Sequence, residues 1–159
     1  MMKTVTFAIA TRRGMVPVLP VSDQPASASA GWPLYARLEL GALLTAPGCG
    51  RAWTAVLLRE WQLIHLADTA RLAVSELLTN AVLASTGLDL PVIQLSLASD
   101  WHRLLILVRD YAPGAPYPRH TDAEDEGGRG LLLVETISER FGWYRPADGT
   151  PGKFVWAVL

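Results

Sequence analysis

Two apolar runs with almost nothing between them constrain this chain most. "PVIQLSLAS" (91–99) and "RLLILVR" (103–109) carry the branched aliphatic side chains that suit a pleated strand. Asp100 and Trp101 lie between them. So short a link predicts an antiparallel hairpin, because a parallel pair needs a long crossover. "FGWYRP" (141–146) and "GKFVWAVL" (152–159) repeat the pattern around the turn "ADGTPG". "LYARLELGALL" (34–44) alternates and reads as a further strand.

Three segments have helical spacing instead. "TAPGCGRAWTAVLLREWQL" (45–63) starts at Thr45 and Pro47, and Trp53, Val56, Leu57 and Trp61 form one stripe. A second helix opens at Asp68 or Thr69 and presents Ala70, Ala73, Val74, Leu77, Ala81 and Ala84 as an apolar face. Gly87 ends it. The third is "GRGLLLVETISERF" (128–141). Strands joined by short turns, with helices interleaved, predict an α/β fold. It is a two-layer sandwich whose mixed, mostly antiparallel sheet carries its helices on one face. Residues 14–33 are rich in Pro, Ser, Ala and Gly, so 1–33 reads as an N-terminal arm or linker and 34–159 as the folded domain.

Composition narrows the function. The chain has 159 residues, 50% of them apolar and 18% charged, enough for one buried core. A net charge of -1 gives no footprint for nucleic acid. The lone Cys49 leaves no internal disulfide and no cysteine metal cluster, and it suits a reduced, cytoplasmic setting. No apolar run is long enough to span a bilayer. "MMKTVTFAIATRRG" has no small-residue cleavage site and reads as a strand or a loose arm. His65, His102 and His120 are scattered without metal-ligand spacing.

Three stretches could carry chemistry. In "EDEGGRGLLLVE" (124–135), glycines open a helix. Backbone N–H groups there can hold an anion, or the glycines can simply make a turn. No Walker loop, no complete G-x-G-x-x-G and no G-x-S-x-G elbow is present. Glu76 and Asn80 stand four residues apart on one helical face, off the apolar stripe. An Asn oxygen suits Mg2+, and a glutamate beside it can orient or deprotonate a hydroxyl. The same two side chains could equally be a solvated polar face. Asp110 stands at the exit of "LLILVRD", placed either to accept a bond from an exocyclic amine or to cap a turn.

Taken in this order, "ELLTNAV" (76–82), "DYAPG" (110–114) and "GGRGLLLV" (127–134) resemble the N box and the two glycine boxes of the GHKL, or histidine-kinase-like, ATPase superfamily. The likeness covers roughly 34–159 and is nearest to small bacterial anti-sigma-factor serine/threonine kinases and ATP-binding regulators. It implies a histidine-kinase-like fold that binds ATP and Mg2+. Glu76 becomes the general base or water-orienting residue and Asn80 the Mg2+ ligand. Asp110 becomes the partner of the adenine amine, and Gly114 the point where backbone approaches the base. Residues 115–127 become the ATP lid. Gly128, Arg129, Gly130 and Leu131 present N–H groups to the phosphates.

The resemblance further implies a sigma factor and an anti-anti-sigma (STAS-type) protein as partners, no nucleic acid or membrane, and a homodimer. The alternative is a non-catalytic ATP-binding regulator that acts only through protein–protein binding. A detached histidine-kinase catalytic domain fits less well, because His65 lies too close to the N-box helix to be its phosphoacceptor. Ala112 replaces the first glycine of the middle box, and the position matching a supporting threonine is Phe154. The lid acids Asp122, Glu124, Asp125 and Glu126 are expected to face water, with Arg119 and Arg129 nearer the ligand.

Overall fold

The computed structural model describes residues 31–89, 91–116 and 129–159, and the backbone of 9–11 and 14–16. Five strands form the main sheet: β3 (Leu34–Gly41), β4 (Val92–Ser99), β5 (Leu104–Asp110), β6 (Arg140–Tyr144) and β7 (Lys153–Val158). They lie in the order β3-β4-β5-β7-β6. The sheet, expected to be mostly antiparallel, is antiparallel at every pairing. The 91–109 hairpin forms as anticipated, with Ser99 opposite Leu104 and Gln94 opposite Arg109. Its turn is held by Asp100, whose carboxylate accepts the backbone N–H groups of His102 and Arg103. β1 (Ile9–Thr11) and β2 (Gly14–Val16) make a separate antiparallel pair, so part of the expected arm is a hairpin.

Helices α1 (Ala46–Glu60), α2 (Ala67–Ala84) and α3 (Gly130–Ile137) gather on one face of the sheet. A single 3-10 turn, Ile64–Leu66, leads into α2. α2 lies across β4 and β5 and touches both other helices. Its buried side is Ala70, Ala73, Val74, Leu77, Leu78, Ala81 and Val82, while Ala84, expected in the core, is exposed. Gly87 takes the left-handed backbone (φ 85°) just beyond the helix end.

α1 is rotated relative to its sequence stripe. The buried positions are Ala46, Gly50, Thr54 and Leu58, with Trp53, Leu57 and Trp61 half-buried beside them and Val56 exposed. The reason is the closeness of α1 to α2. Small side chains face α2, and a β-carbon on Gly50 would run into Leu78 Cδ1 and come within 3.2 Å of Val74 Cγ1. The aromatic stripe flanks that seam and does not form it.

α3 is shorter than its pattern suggests. It stops at Ile137, Ser138 is extended, and the Glu139 N–H donates to Val158 O. Arg140 and Phe141, read as helix, begin β6, because pairing with Val158 and Ala157 of β7 outweighs one further helical turn.

The face of the sheet away from the helices is also covered. Alternate residues of β5 and β7 point there: Leu105, Leu107, Trp156 and Val158, joined by Trp32, Ala98 and Tyr144. β5 is thus buried on both faces, which explains its unbroken apolar run. Trp32, placed in the arm by composition, packs into this cluster.

Two glycines of α1 should respond oppositely to alanine. Around Gly48 the nearest atom to an added β-carbon is Arg51 Nη2 at 3.7 Å. Gly48→Ala should therefore gain up to about 1 kcal/mol of helix propensity. Gly50→Ala should lose about 1–3 kcal/mol, because overpacking a fully buried seam exceeds that gain. Urea denaturation of both variants reads the difference.

Candidate functional site

Asp110 ends β5, where the strand leaves the sheet into "YAPG". It is fully buried. Its Oδ1 accepts the Ala112 N–H at 3.0 Å and the Lys153 ammonium at 2.8 Å. Its Oδ2 is buried and has no hydrogen-bond partner among the described residues. Lys153 starts β7 directly opposite Asp110 and is itself only 1% exposed. The register corrects one expectation: Phe154 faces Arg109, and the residue beside the aspartate is Lys153. A lysine in a C-terminal strand usually reads as a surface charge, so sequence reasoning passed it over. The signal it left was its place one residue after Gly152.

Gly152 sets that register. It has φ 101°, and a β-carbon there would meet the Asp110 carbonyl oxygen and lie 2.8 Å from Tyr111 Cα. Only glycine lets the two backbones approach so closely. Beside it, the Arg109 guanidinium sits between the rings of Tyr111 and Phe154, 4.6 and 5.0 Å from their centroids, and donates to Thr150 Oγ1 at 3.1 Å. Tyr144 stacks on Phe154 with centroids 4.9 Å apart. Burial pushes the Tyr144 hydroxyl well above its ordinary range.

Ala112 is buried without left-handed strain, so the alanine replacing a glycine is accommodated. Gly114 does take the left-handed backbone (φ 92°), with open space where a β-carbon would be.

Glu76 and Asn80 occupy successive turns of α2 and are both half-buried, at the border of the apolar side rather than on an outer face. The Glu76 carboxylate packs against Gly130, where a β-carbon would run into its Oε2 and lie 3.2 Å from its Cδ. The fold thus brings the α2 acid to the first residue of α3. Arg129 precedes the helix and is exposed, and Leu131 is buried in its first turn. The first N–H groups of any helix lack partners within it, and such an end can hold an anion. One residue before Glu76, Ser75 Oγ accepts from Arg51 of α1 at 2.7 Å, which fixes the two helices to each other. Gly128, the lid from 117 onward, Arg119 and the four lid acids lie outside the described residues.

These contacts form two groups: Glu76 with Gly130, and Asp110 with Ala112, Gly152 and Lys153. α2, which carries Glu76, packs across β5, which carries Asp110. A separate open groove of about 560 Å³ between the start of α1 and the end of α2, lined by Leu44, Pro47, Arg51, Thr79 and Leu83 among others, holds none of the candidate residues.

The sequence model of one protein family, the histidine kinase-like ATPase domain, matches residues 45–158. The chain belongs to this family. A search of curated proteins finds no match to it. Membership of the histidine kinase-like ATPases implies ATP binding, and the described residues fit such a ligand at two points. Asp110 Oδ2 is a buried acceptor in need of a donor, as an adenine amine is. Gly130 brings a helix N-terminus beside Glu76. Among the described residues no group of three or more His, Cys, Asp or Glu could hold a metal. No helix among the described residues is long and apolar enough to cross a membrane.

The buried pair is testable by itself. Lys153→Met leaves a buried carboxylate without its cation and should cost about 3–5 kcal/mol, whereas Asp110→Leu with Lys153→Met should recover most of that loss. Denaturation midpoints of the single and double variants measure it. A single variant as stable as wild type would mean the pair is not desolvated.

Proposed function

We propose that this chain is an ATP-binding regulatory protein acting as a Mg-ATP-dependent serine kinase of the anti-sigma-factor type in a partner-switching pathway. On this reading it is a cytoplasmic homodimer whose partners are a sigma factor and a STAS-type anti-anti-sigma protein that carries the acceptor serine. The observation that carries the proposal is the packing of the Glu76 carboxylate on Gly130, with Asn80 one turn along α2. On this reading a base meets a helix N-terminus, and a hard oxygen ligand stands one helical turn away.

Bound Mg-ATP supplies the γ-phosphoryl group and a metal to neutralise its charge. The protein's own residues position it. Asp110 Oδ2 accepts from the base amine. Gly114 leaves its backbone open to the base. The N–H groups at the start of α3, those of Gly130 and Leu131, orient the phosphate oxygens, with Gly128 and Arg129 expected on the same path. Asn80 Oδ1 offers the metal its protein oxygen. Glu76 takes the proton of the acceptor hydroxyl or orients it for attack.

Asp110→Asn should weaken this recognition for a definite reason. The amide oxygen would keep the bonds from Lys153 and Ala112, so its NH2 would replace Oδ2 and point a donor at a donor. Leaving both unsatisfied costs about 1–3 kcal/mol, roughly a 5- to 150-fold loss in affinity. Calorimetric titration with Mg-ATP should show binding by wild type and little by Asp110→Asn. Glu76→Ala should bind Mg-ATP but transfer no labelled phosphate to a partner serine. Transfer unchanged in Glu76→Ala would remove Glu76 from the chemistry. ATP binding without phosphorylation of any cognate partner would leave a regulator that works by binding alone.

A further inference from the structure

The Asp110–Lys153 pair leaves two needs unmet, side by side and out of water. Among the described residues Asp110 Oδ2 has no donor. The Lys153 ammonium has three N–H donors, and among the described residues its one hydrogen bond goes to Asp110 Oδ1. Buried polar groups are normally satisfied, so an acceptor and a donor left open at one place point to a ligand that offers the complement. The complement is a planar edge with a donor next to an acceptor.

We infer that Lys153 reads the base jointly with Asp110: its ammonium donates to ring nitrogen N1 of adenine while Asp110 Oδ2 accepts from the 6-amino group. The inference rests on the reading of Asp110 as the base-binding residue. Lys153 adds direction to that site. A hydroxyl at this position could donate or accept, whereas an ammonium only donates. Its bond to Oδ1 also decides which carboxylate oxygen remains for the base. Guanine presents an acceptor at position 6 and a donor at N1, the reverse order, and it meets the pair wrongly at both atoms. Lys153 is thus a specificity-determining residue. The backbone contact of Gly152 with Asp110 and Tyr111 holds it in place from the next position in the chain.

The test is a calorimetric titration of the intact chain with ATP and with 1-deaza-ATP, in which a C–H replaces ring nitrogen N1. Wild type should bind 1-deaza-ATP about 10- to 100-fold more weakly than ATP, the range set by a hydrogen bond to a charged donor. Lys153→Met should bind the two alike, because neither then finds a donor. Equal affinity of wild type for both nucleotides would overturn the role of Lys153 while leaving the ATP site standing. A Lys153→Met variant that still prefers ATP would overturn it too. Absence of any ATP binding by wild type would overturn the pocket itself, and this inference with it. Should Lys153→Met fail to fold, the wild-type comparison decides alone.

Discussion

A buried ion pair ties the end of β5 to the start of β7, and the geometry of the candidate base site follows from it. Asp110 and Lys153 are both about 1% exposed and 2.8 Å apart. Removing such charges from water is costly unless they are paired and hydrogen-bonded. Among the described residues one carboxylate oxygen takes two donors and the other takes none. That asymmetry gives the aspartate a defined working side. A neutral partner could have held the side chain without settling which oxygen faces outward. The approach of Gly152 to the Asp110 backbone makes the pairing register tight, and the Arg109 cluster beside it clamps the turn that precedes β7.

The second organising element is α2. Its apolar side supplies the centre of the core, and its border carries Glu76 and Asn80. A helix packed against α1, α3, β4 and β5 is a rigid platform, which suits residues that must hold a geometry. Gly50 on α1 and Gly130 on α3 let both helices approach α2 closely, for different ends. The first seats Leu78 and Val74, and the second seats a carboxylate. Packing and chemistry therefore use the same device, a missing β-carbon, on two faces of one helix.

Much of this was legible in the chain. The short link at Asp100 and Trp101 forced an antiparallel pair, and the helix order predicted a layered sandwich, because local spacing and turn chemistry act over a few residues. Glu76 and Asn80 could be placed on one side of a helix by period alone. The exact stripe of α1 could not, since Trp53, Val56 and Leu57 are apolar whichever way the helix turns. The helix's rotation depended on the fit to α2. The end of α3 was likewise hidden, because Arg140 and Phe141 suit a helix until β7 offers them strand partners.

Chain order supplies the side chains: an acid and an amide one turn apart, an aspartate at a strand exit, and glycines where backbone must come close. Tertiary structure alone decided their company. It placed the Glu76 carboxylate on Gly130, 54 positions later in the chain by their numbers. It also put Lys153, not Phe154, against Asp110. The physical reason is register. Strand alternation has a period of two, so a shift of one residue exchanges a buried cation for an aromatic ring, and only the pairing of β5 with β7 sets that register.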